Sequence, residues 1–411
     1  MATLATSDPS EKIVDPLDVS RPELYRDDIW HAPFRRLRTE APVYRCEHSD
    51  FGPYWSVSTY KPIVQAESLP DIYSSQAGGI TIADLQDGDI KMPMFIAMDR
   101  PKHTGQRRTV APAFTPSEMV RLTDNIRTRT AEILDSLPVG EEFDWVDRVS
   151  IELTTQMLAI LFDFPWADRR LLTYWSDWAG DIEIAKDPVR KEERRKILFE
   201  CAAYFGELWK AKLGKEPTPD LISMMIHSDA MAEMDQYEFL GNLILLIVGG
   251  NDTTRNSMSA YAWGLGQFPD ERAKLEADPG LIPNAVQEII RWQTPLAHMR
   301  RTATQDAELE GQQIREGDKL VLWYLSANRD ESIFPDPDRI IVDRENARRH
   351  LAFGHGIHRC VGARLAELQI SVLLEEMAKR RLRANVLREP DRVAACFVHG
   401  YRKMPVELSR Y

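Results

Sequence analysis

The stretch "HLAFGHGIHRCVGARLAE", residues 350–367, constrains this chain more than any other. It sets Gly354, Gly356, His355, His358 and Cys360 just ahead of an amphipathic pattern over 361–380 that reads as a helix. A cysteine so placed is a metal ligand, a nucleophile or a core thiol, and the rest of the sequence discriminates among the three. Only four cysteines occur, Cys46, Cys201, Cys360 and Cys396, with no CxxC pair. That usage argues against a disulfide framework or a Cys-rich zinc site and fits a reducing cytoplasm. Tetrahedral zinc needs ligands beyond His355, His358 and Cys360. Cysteine nucleophilic chemistry with His358 as base finds no supporting machinery, since GxSxG, HExxH and P-loop patterns are all absent. The CxxCH of covalent haem attachment is absent too.

What remains is a thiolate ligand to a non-covalent iron porphyrin. Gly354 and Gly356 let the backbone fold tightly enough for amide N–H groups to face sulfur, and Phe353 shields it from water. The following helix offers its N-terminus to the anion, and Gly362 lets that helix lie close to the ring. Thiolate ligation pushes electron density onto iron and favours O–O cleavage.

The 43% hydrophobic content supplies a sizeable core, and the net charge of −12 argues against a nucleic-acid binder. "LILLIV" at 243–248 is far short of the roughly 20 apolar residues that span a bilayer. The N-terminal "MATLATSDPSEKIVDPLDVS" lacks the pattern of a secretory leader. No internal repeat occurs at any period, and no composition shift divides residues 1–411. Strand-like runs concentrate in 40–60, 296–325 and 393–409, where the last reads as a terminal β pair. Helical spacing dominates 100–292 and 361–380. The expectation is a single, mainly α (α+β) domain.

Inside the helix expected from about Tyr237 to Phe268, "GGNDTT" (249–254) interrupts the apolar pattern. Adjacent glycines cost about 1 kcal/mol each relative to Ala. The stretch is therefore either a loop between two helices or a distorted helix whose glycines admit a ligand and whose Asp252 and Thr253 supply an acid and a hydroxyl. Glu288 and Arg291 lie at i and i+3, alone no more than an exposed pair. His103 and Arg107, four apart, and Arg300 and Arg301 are either solvated charge or cationic groups converging on ligand carboxylates.

Taken together, these features resemble the cytochrome P450 monooxygenases. "FGHGIHRCVG" matches their haem signature Phe-Gly-x-Gly-x-x-x-Cys-x-Gly, "GGNDTT" their oxygen-activation motif, and Glu288–Arg291 their Glu-x-x-Arg motif, all in the family's order. The resemblance implies a triangular, helix-rich body with a small β-rich part and one haem b. It implies Cys360 as axial ligand, Asp252 and Thr253 as the proton-delivering acid and alcohol, and Glu288, Arg291 and Arg344 as a structural ion cluster. It further implies His103, Arg107, Arg301 and His358 as partners of the haem propionates, with Phe353 and Gly362 against the ring. Lacking a membrane anchor, the chain resembles the cytoplasmic bacterial type served by a [2Fe–2S] ferredoxin and its reductase. Docking of that partner is expected on Arg348, Arg349, Arg359 and Arg364.

"IVGGNDTTRNSMS" and "PLAHMRRTA" resemble the bacterial branch that hydroxylates medium-chain alkanes and fatty acids at the terminal carbon. Apolar segments place Ile80, Ile82, Met94, Leu245, Val248, Gly249, Leu296 and Phe397 in the expected substrate pocket. The competing readings are hydroxylation of a terpene or other small apolar compound, a peroxide-using haem-thiolate enzyme, and a non-enzymatic haem sensor or electron carrier. The last two make no use of the Asp252–Thr253 pair.

Overall fold

The alternation in "PVYRCEHSDFGPYWSVSTY" produces the expected hairpin, in which β1 (Val43–Cys46) and β2 (Tyr54–Val57) pair antiparallel. The structure is a computed structural model that describes residues 15–86, 89–182 and 187–411. Residues 1–14 of the stretch read for a leader lie outside the described residues. Three helices that the sequence reading did not anticipate flank the hairpin: α1 (Pro22–Arg26), α2 (His31–Glu40) and α3 (Tyr60–Ser68). They are short, and their burial comes from contacts across the chain rather than from a long periodic stripe.

The hairpin extends into a five-stranded sheet ordered β1-β2-β8-β5-β3, with β3 (Tyr73–Ser74), β5 (Met299–Ala303) and β8 (Lys319–Leu322). Strand β8 lies parallel to β2 and antiparallel to β5. β6 (Ala307–Leu309) and β7 (Gln312–Ile314) form a separate small hairpin. β4 (Glu142–Asp144), β9 (Leu382–Val386), β10 (Asp391–Arg392), β11 (Tyr401–Lys403) and β12 (Pro405–Arg410) complete the β structure. The terminal β pair expected at 393–409 does not form as a hairpin. One residue, Met404, separates β11 from β12, fewer than the two that a tight hairpin turn requires. β12 therefore pairs with β9 and β4, and β11 with β10.

The helical body comprises α4 (Lys102–Val110), α5 (Pro116–Asp135), α6 (Glu152–Phe162), α7 (Arg170–Gly180), α8 (Pro188–Lys212) and α9 (Leu221–Ile226). It continues with α10 (Gln236–Gln267), α11 (Pro269–Ala277), α12 (Ile282–Gln293), α13 (Tyr324–Ala327) and α14 (Ala363–Lys379). Helix α10 runs unbroken through "GGNDTT", so the loop reading does not hold. Its N-terminus is capped by Asp235, whose carboxylate accepts from the amides of Tyr237 and Glu238. Burial of the faces turned away from Gly249 and Thr253 offsets the weak propensity of the polar stretch. Leu240, Leu243 and Ile247 belong to one apolar cluster, and Met258, Ala262 and Leu265 to a second. Gly250 serves this packing, because a Cβ there would stand 2.7 Å from Leu158 Cδ2 on α6. Among the described residues no helix is long and apolar enough to cross a membrane.

Glu288 and Arg291 on α12 are both fully buried, which overturns the exposed-pair reading. Arg291 Nε and Nη2 donate to Glu288 at 2.7 and 2.8 Å, and Arg344 Nε donates to Glu288 Oε1 at 2.9 Å. The guanidiniums also bind the carbonyls of Asn328, Pro337 and Arg339, which fastens the irregular "ANRDESIFPDPDRI" segment to α12. Glu288→Ala would leave two buried cations short of their shared acceptor. We expect a loss of about 3–5 kcal/mol, read as a lowered denaturation midpoint. A midpoint equal to the parent's would show the cluster to be dispensable.

Candidate active site

Helix α10, residues from 76–85 and 89–98, α4 and the cysteine loop line a cavity of about 1090 Å³. Ordinary ligand pockets span about 300–1,000 Å³, so this one can take more than a single small molecule. Its wall includes Ile80, Met94, Leu245, Val248, Gly249, Leu296 and Phe397, as expected, and also Thr253 and Cys360. Ile82 is the exception. It is fully buried in the cluster with Ala297, Val321 and Trp323, its N–H donates to His298 Nε2 at 3.2 Å, and its neighbours Thr81 and Ala83 line the cavity instead.

The loop before α14 is held by its own backbone. The Gly354 amide donates to Leu351 O and the Cys360 amide to Phe353 O, each at 2.8 Å. Gly354 and Gly356 adopt φ +68° and +65°, and a Cβ on Gly356 would lie 2.2 Å from Glu67 O. Glycine is therefore required there both for conformation and for the approach of α3. Cys360 precedes the N-cap of α14, Gly362, by two residues. Burial pushes the Cys360 thiol up, and the Gly362 amide, Arg107 and Arg359 pull it back by less. Coordination to a metal ion would favour the thiolate, as it does for coordinating thiols generally.

Beside the cysteine, His103 and His358 place their ring centroids 4.3 Å apart on the cavity wall. All four ring nitrogens are buried without a hydrogen-bond partner. Burial lowers the pKa of both, that of His358 to about 2 with Arg301, His103 and Arg107 adding to the effect, so both are neutral near pH 7. Arg107 Nη2 donates to Arg359 O at 2.5 Å. Arg301 is on the wall and buried, not a solvated charge, and it already has partners: Nη2 donates to Glu67 Oε1 at 2.9 Å and Nη1 to Arg300 O at 2.7 Å. Arg300 turns away to Asp84.

Thr253 Oγ1 donates to Gly249 O, one turn back, at 2.8 Å. Asp252 lies behind the wall, 2% exposed. Its Oδ1 accepts from Ser176 Oγ at 2.8 Å and Asn251 Nδ2 at 3.1 Å, and Arg255 Nη2 stands 3.1 Å away. Arg255 also donates to Asp177, whose side chain is half exposed, at 2.7 Å. Burial pushes the Asp252 carboxyl up, while Arg255 pulls it down. Arg255 sits at i+3 from Asp252 and was readable from that spacing. Ser176 and Asp177, on α7, carry no local signal.

The cytochrome P450 family profile matches residues 280–380. Linalool 8-monooxygenase of Pseudomonas putida is 35% identical over 405 residues, covering 95% of this chain and 98% of that one. The chain belongs to the cytochrome P450 family. A methyl-branched lipid omega-hydroxylase of Mycobacterium tuberculosis is 33% identical over 93% of this P450 and 92% of its own length. Among solved structures, CYP153D17 from Sphingomonas sp. PAMC 26605 superposes with a TM-score of 0.93 at 78% identity, over 97% of this chain and 100% of that one. Cytochrome P450-153 from Novosphingobium aromaticivorans gives 0.92 at 59% identity, over 96% and 100%.

The P450 cofactor is haem iron, and the residues present fit it. The two orphaned imidazoles each offer one N–H to an anionic acceptor. Arg107 stands beside them, and the cavity that they share with Cys360 exceeds the size of an ordinary ligand pocket. This P450 is accordingly a monooxygenase of the oxidoreductase class.

Proposed function

We propose that this P450 hydroxylates medium-chain alkyl substrates, alkanes or fatty acids, at the terminal carbon. Electrons would come from NAD(P)H through a ferredoxin reductase and a [2Fe–2S] ferredoxin. The observation that carries the reading is one cavity whose wall brings Cys360 and Thr253 together with apolar side chains such as Met94, Leu245, Val248, Leu296 and Phe397. The kinship with a lipid omega-hydroxylase supports it. In this reading residues 1–411 form one domain, which works in the reducing cytoplasm.

Cys360 would hold the haem iron, with Phe353 and Gly362 beside the group. His103, Arg107 and His358 would hold its propionates, with Arg301 contributing through whatever donor capacity Glu67 leaves it. Bound there, haem supplies the activation of dioxygen, one atom of which enters a substrate C–H bond. The chain's own part is proton supply and positioning. Thr253 Oγ1 can turn from Gly249 O toward the cavity and hold a proton there. Asp252, whose carboxyl burial pushes up, replenishes it, and Arg255 and Asp177 connect Asp252 to solvent.

Each methylene that enters such a wall gains about 0.8 kcal/mol, so affinity should rise along a homologous series until the chain outgrows the cavity. Terminal methyl C–H bonds are stronger than methylene ones, so terminal attack requires the wall to present the chain end-on. The test is product analysis of octane and dodecanoic acid turnover with a ferredoxin system, with mainly terminal alcohols expected. Subterminal alcohols would sink the reading. The terpene alternative rests on the linalool 8-monooxygenase relative and on the P450 of Mycobacterium marinum solved with pseudoionone, 30% identical. Brisk terpene oxidation without alkyl turnover would favour it.

For the electron route, Arg348, Arg349, Arg359 and Arg364 are all exposed around the cysteine loop of an otherwise acidic chain. Complementary charge accelerates association and is screened by salt. Reduction by an acidic ferredoxin should therefore slow as ionic strength rises and slow further in Arg349→Glu. A rate indifferent to both places docking elsewhere.

A further inference from the structure

One buried carboxylate near the cysteine loop has no part in the scheme above. Glu67, one residue before the end of α3, is 4% exposed. Three donors from three separate elements converge on it. Arg301 Nη2 of β5 (2.9 Å) and the Tyr324 hydroxyl of α13 (2.5 Å) reach Oε1, and the His355 amide of the cysteine loop (2.8 Å) reaches Oε2. The amide and the guanidinium can only donate, so Glu67 must offer them an acceptor at both of its oxygens. Glu67 does not itself line the cavity, whereas Arg301, Tyr324 and Gly354 all do. The loop also presses on the Glu67 backbone where Gly356 meets it.

Hydrogen bonding alone does not call for a charge here. A glutamine could accept from the His355 amide with its oxygen and donate to the Tyr324 oxygen with its NH2, without the desolvation cost of a buried carboxylate. The partner that calls for an anion is Arg301, 3% exposed and otherwise an unmatched buried cation. The local charge balance follows. Arg301 is cancelled by Glu67, with which it pairs at 2.9 Å.

We infer that Glu67 is a positioning residue for the haem site. It anchors the cysteine loop through the His355 amide and, by neutralising Arg301, holds down the positive potential behind the cavity wall. The inference rests on haem being bound through Cys360, which the carbon-monoxide difference spectrum of the parent protein tests separately. Gaining an electron makes the iron site more negative, so an uncancelled cation nearby favours the reduced form, and an uncancelled anion disfavours it.

The experiment is a spectroelectrochemical titration of the ferric/ferrous midpoint in the purified, substrate-free holoenzyme and two variants. Glu67→Gln keeps the shape and the amide acceptor but frees the Arg301 charge, so its midpoint should move positive of the parent with the thiolate band intact. Arg301→Gln leaves the carboxylate alone and should move it negative. A purely structural role has no reason to give shifts of opposite sign. An unmoved or negative midpoint in Glu67→Gln overturns the inference. Should that variant fail to retain haem, an unmoved or positive midpoint in Arg301→Gln overturns it equally.

Discussion

Cys360→Ala should lose the carbon-monoxide difference band that reports thiolate ligation, and the protein should purify with little haem. The magnitude follows from the absence of a substitute. Cys46 and Cys396 are buried in the apolar cluster under the N-terminal hairpin, and Cys201 in the cluster around the first half of α10. Burial pushes the Cys46 thiol up to about 12 and the Cys201 thiol up as well, and none of the three is on the cavity wall. His358 and His103 stand close to the loop, and a neutral imidazole can bind iron, so some haem could persist with a different spectrum. The decisive measurement is the position of the band in the reduced, carbon-monoxide-treated variant. A band unchanged from the parent would remove Cys360 from the ligand role.

The second large effect concerns proton supply. Thr253→Ala deletes the hydroxyl on the cavity wall and leaves Gly249 O without that donor, which α10 tolerates because the carbonyl already lies within a helix. We expect NADH consumption to continue while product falls and peroxide accumulates. Asp252→Asn acts differently. Ser176 and Asn251 still find an acceptor, and Arg255 keeps Asp177, so the fold should survive. The acid proposed to refill Thr253 is gone, and general-acid contributions of about 10²–10⁴-fold set the expected fall in turnover. Product per NADH, peroxide yield and rate are measured side by side. If both variants keep the parent's coupling and rate, the pair has no part in proton delivery.

The sequence made the cavity legible wherever function is written in consecutive residues. The glycine-flanked Cys360 and the polar break in an otherwise apolar helix stand out because each violates a local rule, and the ends of α10 fell within a residue of the expected bounds. Elsewhere, chemistry depends on residues that meet only after folding. Glu67 is one glutamate in an unremarked nine-residue helix, and nothing in its neighbours shows that a loop 288 residues later will donate an amide to it. Ser176 and Asp177 are hidden in the same way. Glu288 and Arg291 looked exposed because an i,i+3 pair has the same spelling at a surface as in a core. The burial of Ile82 and the partners of β12 failed for the same reason, since side-chain direction and strand pairing are settled by distant contacts.

The 32 residues of α10 have a mechanical consequence. At 1.5 Å per residue the helix is a rod about 48 Å long, and its two halves are embedded in different apolar clusters. Neither cluster can dissolve alone without stripping one end of a rod whose other end is still clamped. Partial opening is thereby penalised, and loss of structure in this part of the chain should be cooperative, with slow-exchanging amides running continuously through the glycine pair at its centre. A flexible ligand can then be accommodated by the segments facing the helix while the Thr253 wall keeps its place, so adaptability and registry are assigned to opposite sides of the same chamber.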